Sequence, residues 1–239
     1  MFDMPRLFAL VPCAGVGARA AAGGPKQYTA VAGQSVVAHT LDALMAVPAL
    51  SAVLVVLAPD DDTFERHAPH FGGLRAWVAR CGGATRAASV SAGLAVLRER
   101  GAGDDDWVLV HDAARCLVQP AWVQALIAAC QNDAVGGLLA LPLADTLKAA
   151  RLDGPDERVA TTLDRSAKWL AQTPQMFRLG LLQRALDEGA AAGVNITDEA
   201  SAVEALGLAP RLVPGDLENF KLTWPADFAL AERLLRTRR

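Results

Sequence analysis

The amino-acid sequence predicts an α/β fold: a single domain with a mostly parallel, twisted β-sheet and helices on both of its faces. Short apolar runs recur along the 239-residue chain, at positions 7–11, 52–58, 107–110 and 135–141. Such runs are typical of strands that are buried on both faces of a parallel sheet. Segments with helical spacing alternate with them, among them 36–47, 121–130 and 179–191. Since no linker or repeat interrupts the alternation, we expect one domain over residues 1–239.

The composition of the chain restricts the kinds of partner and the compartment that we expect for the protein. The formal charge is only −3, so a general affinity for nucleic acid is not expected. No apolar stretch approaches the ~20 residues that a membrane span needs, and the first residues lack the pattern of a cleavable leader, so we expect a cytoplasmic protein. The four cysteines have no Cys-x-x-Cys spacing and no partnering histidines, which favours reduced thiols over a disulfide framework or a metal site.

The first predicted strand runs into a glycine-rich loop, Pro12-Cys13-Ala14-Gly15-Val16-Gly17-Ala18-Arg19. Glycines let the backbone approach a ligand closely, successive N–H groups can form an anion-binding concavity, and Arg19 and Lys26 add two cations. This combination suits a polyphosphate. A tight turn with solvated cations is the simpler alternative. A dinucleotide fingerprint also fits residues 15–20, but Gly23-Gly24-Pro25 would soon interrupt the helix that it requires.

Two further segments are expected at the same edge of the sheet. Gly82-Gly83 opens a helix that carries Arg86 and Ser89 on one face, and a helix N-terminus of this kind suits a phosphate or a polar base edge. The strand at 107–110 ends in His111-Asp112-Ala113-Ala114-Arg115. Asp112 is the natural group to hold Mg²⁺ or a substrate hydroxyl, whereas we interpret His111 as structural. A capped surface helix and a structural His-Asp contact are the alternatives.

Residues 144–165 have a different character from the rest of the chain. Two polar, strand-like stretches flank Asp153-Gly154-Pro155-Asp156, which is a strong turn signal. A two-stranded ribbon is marginal in water on its own, so this arm needs a partner surface unless it is an ordinary exposed hairpin.

Together these motifs resemble the 2-C-methyl-D-erythritol 4-phosphate cytidylyltransferases, which belong to the non-mevalonate isoprenoid route. The matching patterns are Pro-x-Ala-Gly-x-Gly-x-Arg, Pro-Lys-Gln-Tyr, Gly-Gly-x-x-Arg-x-x-Ser, His-Asp-Ala-Ala-Arg, Asp-Thr-x-Lys, Asp-Arg, Thr-Pro-Gln and Asn-x-Lys-x-Thr-x-Pro. The resemblance implies a fold like that of the nucleotide-diphospho-sugar transferases, with the arm reaching across a homodimer. It also implies cytidylyl transfer from CTP to 2-C-methyl-D-erythritol 4-phosphate, with Mg²⁺ as the cofactor.

The resemblance further assigns residues to roles. It implies catalytic roles for Arg19, Lys26, Arg165 and Lys221. The nucleotide-binding residues that it implies are Cys13, Ala14, Gly15, Gly17, Gly82, Gly83, Arg86, Ser89 and Ala113. The substrate-binding residues are Asp112, Arg115, Thr146, Arg165, Thr173 and Lys221, with Asp112 also as the candidate metal ligand. Thr173 belongs to a Gln172-Thr173-Pro174-Gln175 turn that faces the substrate. The segment 195–201 is interpreted as a capped helix start, with Thr197 as the N-cap.

The chain departs from the family pattern at Cys13, where alanine is common, and at Cys116, where proline is common. Nearby cations can lower a thiol pKa, so we expect inhibition by thiol reagents. Two alternative functions stay open. A cytidylyltransferase for another polyol phosphate, such as ribitol 5-phosphate, would share the nucleotide half of the site. An NAD-dependent oxidoreductase is the more distant alternative.

Overall fold

The computed structural model describes residues 4–15, 25–153 and 156–238. Its β-strands are β1 (Leu7–Pro12), β2 (Ala30–Val31), β3 (Gln34–Ser35), β4 (Ala52–Val56), β5 (Ala76–Ala79), β6 (Trp107–Val110), β7 (Gly136–Pro142), β8 (Leu147–Asp153), β9 (Asp156–Leu163), β10 (Trp169–Arg178) and β11 (Arg211–Pro214). Its helices are α1 (Val36–Met45), α2 (Phe64–His67), α3 (Arg86–Glu99), α4 (Pro120–Cys130), α5 (Leu179–Ala191), α6 (Glu199–Ala205) and α7 (Pro225–Thr237), and a short 3₁₀ turn covers Lys26–Tyr28.

Within the described residues, seven strands form the central sheet, in the order β11-β7-β10-β6-β1-β4-β5. All neighbouring pairs are parallel except those of β10, which runs antiparallel to both β6 and β7. The predicted mostly parallel sheet is therefore confirmed. Each parallel crossover is long enough to contain a helix, which is what places helices on the faces of the sheet.

The apolar runs become strands because both of their faces are covered. In β1, Ala9 and Val11 pack with α1 and α4 on one face, while Phe8 and Leu10 pack with α3 and α5 on the other. All four side chains are buried, and full burial of a large apolar side chain contributes about 1.5–3 kcal/mol. The predicted helices on both faces are thus confirmed.

The segment 172–175 was predicted as a turn, and this is wrong. These residues lie inside β10, where the register with β7 shifts between Ala171 and Gln175 and the Thr173–Pro174 peptide bond is cis. The strand accommodates a proline because the shift removes that stretch from the regular ladder. The sequence also gave no sign of β11, which pairs with β7 at the edge of the sheet.

The arm forms the predicted hairpin from β8 and β9, which pair with each other in a separate two-stranded sheet. Its turn residues, 154–155, lie outside the described part of the chain. Every residue of β9 is exposed, including Val159 at 62% and Leu163 at 43%. The arm therefore presents apolar side chains to solvent in a single copy of the chain.

Strand order brings the predicted functional loops together. β1 and β6 are parallel neighbours, and Leu10 is in register with Val110. Beyond the strands, the backbone N–H of His111 donates to the carbonyl of Leu10, and that of Cys13 donates to the carbonyl of Val56. The glycine loop and the segment 111–115 therefore leave the same edge of the sheet side by side. No helix in the described ranges is long and apolar enough to span a membrane.

Candidate active site

A cleft of about 450 Å³ opens at the carboxyl ends of β1 and β6, next to the N-terminus of α3. This is the position at which open α/β sheets bind their ligands. Its lining residues come from the three predicted segments and from the C-terminal loop: Pro12, Cys13, Ala14, Gly15, Lys26, Gln27, Gly83, Ala84, Thr85, Arg86, Ser89, Asp112, Ala113, Ala114 and Lys221. Most of the predicted nucleotide-binding residues are thus brought together. Gly17 and Arg19 lie outside the described residues.

Gly82 does not line the cleft but supports the loop that does. Its N–H donates to the carbonyl of Leu57 at 2.8 Å. A Cβ atom at this position would lie 2.3 Å from the Cβ of Ala14 and 2.7 Å from the carbonyl oxygen of Leu57. Only glycine leaves room for the loop to pass this close.

The N-terminus of α3 has a side-chain cap at the wall of the cleft. Thr85 is the N-cap, and its side chain accepts a hydrogen bond from the N–H of Ala88. The buried Ser89 hydroxyl accepts from the N–H of Gly83 at 3.1 Å and donates to the carbonyl of Thr85 at 3.0 Å. Ser89 therefore fixes the glycine segment against the helix.

Lys26 is held by the 3₁₀ turn that contains it. Its Nζ donates to the carbonyl of Leu222 at 2.9 Å. In the same turn the Tyr28 ring stacks on His67 with 4.4 Å between ring centroids, and its hydroxyl donates to Asp61. Burial and the hydrogen bond to Asp61 raise the pKa of Tyr28, so the hydroxyl stays a donor. The turn therefore presents Lys26 from an anchored base.

Asp112 is the centre of a cluster of cations. Its Oδ1 accepts from Arg86 Nε at 2.9 Å, its Oδ2 pairs with Lys221 Nζ at 2.8 Å, and Arg115 Nε lies 3.7 Å from Oδ2. Burial alone would raise the pKa of Asp112, but the three cations hold it well below its usual range. The carboxylate is ionised and bonds directly to Arg86 and Lys221. Arg115 is held instead by the carbonyl of Asn219, to which its Nη1 donates at 2.6 Å.

Glu199 is a member of this cluster that the sequence did not reveal. It is 1% exposed, and its two oxygens accept from Arg86 Nη1 at 2.5 Å and Nη2 at 3.0 Å. Burial raises the pKa of Glu199 although Arg86 opposes the shift. A signal was present, because the apolar neighbours Ala200, Ala202 and Val203 indicate a buried first turn, and a buried glutamate needs a cation.

The predicted N-cap of this helix is wrong by one residue. Asp198, not Thr197, caps α6: its side chain accepts from the N–H of Ser201 at 2.9 Å, and Ser201 Oγ accepts from the N–H of Asp198 at 3.1 Å. Aspartate caps as well as threonine does, and the capping box with Ser201 decides the register.

His111 is a structural residue, as the sequence indicated. Thr173 Oγ1 accepts from the N–H of Asp112 at 3.0 Å and lies 3.0 Å from His111 Nδ1, while Nε2 lies 3.2 Å from the carbonyl of Arg115. A carbonyl can only accept, so Nε2 carries the proton and Nδ1 accepts from the threonine hydroxyl. Burial lowers the pKa of His111 to about 4, which keeps the ring neutral.

A second cavity, of about 190 Å³, adjoins the first and shares Arg86, Asp112 and Lys221 with it. Its other lining residues are Arg115, Ala171, Gln172, Thr173, Gln175, Thr197 and Asp198. Four of the predicted substrate-binding residues therefore meet here. Thr197 and Asp198, which the sequence suggested were only structural, also face this space.

Thr146 and Arg165 do not line either cavity in the described part of the chain. Both are exposed, and Arg165 lies in a surface depression at the base of the arm with Ser166, Lys168 and Trp169. One copy of the chain therefore brings together only part of the predicted substrate site.

Asp112 does not fit the predicted role of metal ligand. Within the described residues no group of three or more His, Cys, Asp or Glu side chains could hold a metal ion. Both oxygens of Asp112 already face cations, which would repel a divalent ion. The described residues thus show no cluster of side-chain ligands for Mg²⁺ at Asp112.

The expectation of reactive thiols beside the cleft is also wrong. Cys13 and Cys116 are 3% and 2% exposed. Burial raises the pKa of Cys13, with a further contribution from Asp61, and burial raises the pKa of Cys116 to about 12. Desolvation of the thiolate outweighs the attraction of nearby cations, so both groups stay protonated.

The sheet, the glycine loop that leaves β1 and the two cation-lined cavities together define the class of this protein as an α/β nucleotidyltransferase. A solved 4-diphosphocytidyl-2C-methyl-D-erythritol synthase superposes with a TM-score of 0.83 at 41% identity, covering 97% of this chain and 98% of that one. The Francisella tularensis 2-C-methyl-D-erythritol 4-phosphate cytidylyltransferase superposes with a TM-score of 0.79 at 32% identity, covering 95% and 99%.

The chain belongs to the 2-C-methyl-D-erythritol 4-phosphate cytidylyltransferase family, whose model matches residues 7–237. It is 54% identical to the enzyme of that name from Paraburkholderia xenovorans, over 96% of both chains. It is 58% identical to the bifunctional enzyme IspD/IspF from Albidiferax ferrireducens over 98% of its own length, and spans 54% of that relative. The recognised family is thus confirmed, and nothing in these comparisons favours an oxidoreductase.

Proposed function

We propose that the protein transfers a cytidylyl group from CTP to 2-C-methyl-D-erythritol 4-phosphate, which gives the cytidine diphosphate derivative and pyrophosphate. The observation that carries the proposal is that two cation-lined cavities share Arg86, Asp112 and Lys221 as their common wall. The larger cavity, with the glycine loop and Lys26, suits a nucleoside triphosphate. The smaller one suits a polyol phosphate whose phosphate lies at the shared wall.

This reaction needs no general base from the protein. The attacking phosphate has a second pKa of about 6, so it is already anionic near neutral pH. His111, which precedes Asp112 in the chain, is buried and neutral, and both of its ring nitrogens are hydrogen-bonded. Catalysis therefore consists of positioning and charge neutralisation during in-line attack on the α-phosphorus.

Lys26 is the residue to which we assign stabilisation of the pentavalent phosphorus and the leaving pyrophosphate, because it lines the triphosphate cavity. Lys221 lines both cavities, which suits it to hold the attacking phosphate. Arg86 is fixed by Asp112 and adds positive charge to the wall, and Arg115, held by the carbonyl of Asn219, adds positive charge to the smaller cavity. The role of Arg19 stays a prediction from the family resemblance.

We further propose that the protein is a homodimer in which the arm supplies Thr146 and Arg165 to the neighbouring copy. The exposed apolar residues of β9 support this, because a two-stranded ribbon is marginal without a surface to pack on. A guanidinium fork at Arg165 is well shaped for a phosphomonoester.

We also expect Mg²⁺ as the cofactor and the cytoplasm as the location of the protein. Since Asp112 is saturated by cations, the phosphate oxygens of CTP would be the ligands of the metal, and none of the roles above depends on it. The four cysteines are free in the structure, which suits a reducing compartment.

The test is pyrophosphate release from CTP with each acceptor in turn. We expect release with 2-C-methyl-D-erythritol 4-phosphate and none with ribitol 5-phosphate. Pyrophosphate release with ribitol 5-phosphate alone would mean that this compound is the acceptor. No release with either acceptor would reject the proposed reaction.

The dimer has its own test, in which Lys26→Ala and Arg165→Ala proteins are mixed. If Arg165 serves the neighbouring copy, random exchange makes half of the dimers mixed, each with one intact site, and restores about a quarter of wild-type activity. If the mixture stays as inactive as its components, Arg165 does not act across the interface.

A further inference from the structure

Gln27 is a buried polar residue at the cleft to which no role has been assigned so far. It is 6% exposed, and its Nε2 donates to the carbonyl of Cys13 at 3.2 Å and to the carbonyl of Gly15 at 3.0 Å. Only the NH₂ end of the carboxamide can donate to two carbonyls, so these acceptors fix its orientation.

These two hydrogen bonds set the direction of peptide groups in the glycine loop. A trans peptide is planar, so the N–H of Ala14 points opposite to the carbonyl of Cys13. Holding that carbonyl against Gln27 leaves the N–H of Ala14 available to an anion in the cleft that Ala14 lines. If this peptide were turned the other way, the carbonyl of Cys13 would face the anion and repel it.

Gln27 also connects the glycine loop to Lys26. It belongs to the same 3₁₀ turn as Lys26, and Tyr28 anchors that turn through its stacking on His67 and its hydrogen bond to Asp61. Residues 13–15 of the loop and Lys26 are therefore held by the same turn.

We propose that Gln27 is the positioning residue for the start of the anion-binding loop, residues 13–15: its amide holds two carbonyls away from the bound triphosphate and fixes these residues relative to Lys26. The inference rests on the proposed function, in which that triphosphate belongs to CTP.

The test is Gln27→Glu, which keeps the size of the side chain but replaces the donor with a carboxylate. Two carbonyls would then face a negative group beside the triphosphate. We expect the KM for CTP to rise about 10- to 100-fold at pH 8, with the KM for the acceptor unchanged. Burial beside two carbonyl oxygens should raise the pKa of the introduced carboxyl, and a protonated carboxyl can donate one hydrogen bond, so the rise in KM should narrow as the pH is lowered towards 6. A merely structural role would not produce this pH dependence.

Two further variants complete the design. Gln131→Glu makes the same chemical change at an exposed position and should leave the KM for CTP unchanged. Gln27→Met removes the donor without adding charge, so it should raise the KM for CTP at every pH without recovery. Gln27→Met also tests the proposal if the Gln27→Glu protein does not fold.

Calorimetric titration with CTP separates this inference from the proposed function. If the wild-type protein binds CTP but transfers to no acceptor, the proposed reaction is wrong, and a weakened Kd in the Gln27 variants still supports the role of Gln27. An unchanged affinity for CTP in both Gln27 variants, or equal rises in the KM of both substrates, would overturn it.

Discussion

Replacing His111 with glutamine would measure how strongly the site disfavours a proton on this ring. Burial lowers the pKa of His111 from 6.5 to about 4. Between these values the unfolded chain binds a proton that the folded protein does not, so stability is fully present above the unfolded pKa and falls as the pH falls. From pH 7 to pH 5 this difference removes about 2 kcal/mol from the unfolding free energy of the wild-type protein.

In His111→Gln the amide offers an acceptor to Thr173 and a donor to the carbonyl of Arg115, but it does not titrate. We therefore expect the variant to lose about 2 kcal/mol less than the wild type over the same pH range. Urea denaturation followed by tryptophan fluorescence at both pH values measures this, and the carboxylates common to both proteins cancel in the comparison. Equal losses in the two proteins would refute the assignment of a neutral, buried His111.

Three other changes have expected outcomes. Gly82→Ala forces a Cβ into the loop, so it should cost about 1–3 kcal/mol of stability and weaken CTP binding in calorimetry. The control is Gly72→Ala, where nothing lies within 4 Å of the added Cβ, and it should change neither stability nor CTP binding. Cys13 and Cys116 should resist iodoacetamide at neutral pH until the protein is unfolded, as peptide mass spectrometry would show; rapid labelling of either in the native protein would contradict their burial. Asp112→Asn should lower turnover but leave the Mg²⁺ concentration for half-maximal activity unchanged, since a shift would mean that Asp112 binds the metal.

The parallel half of the fold could be predicted because its strands are wholly apolar. β1, β4, β6 and β7 need no polar partners, so their sequences alone identify them. β10 could not be found this way, because its buried stretch contains Gln172, Thr173 and Gln175. Long-range hydrogen bonds satisfy these side chains, for example from Gln172 to the carbonyl of Asp216 and from Gln175 to Asp198. A sequence does not reveal such partners.

The same limit applies to the candidate active site. The loops that carry Lys26 and Asp112 could be predicted because glycine pairs and strand ends mark them locally. The apolar neighbours of Glu199 indicate that it is buried, but they do not identify its partner, because Arg86 is 113 residues away in the chain. Only the folded structure shows the ion pair between them.

The cation cluster also determines how the protein behaves towards dissolved anions. The whole chain has a formal charge of −3, so at long range it repels a triphosphate. At the wall of the cleft, however, three cations, Arg86, Arg115 and Lys221, face two carboxylates, Asp112 and Glu199, which leaves one uncompensated positive charge. With a Debye length of about 8 Å at physiological ionic strength, the distant repulsion is screened while the partly buried cluster keeps its field. Moderate salt therefore suppresses the repulsion by the surface more than the attraction at the site.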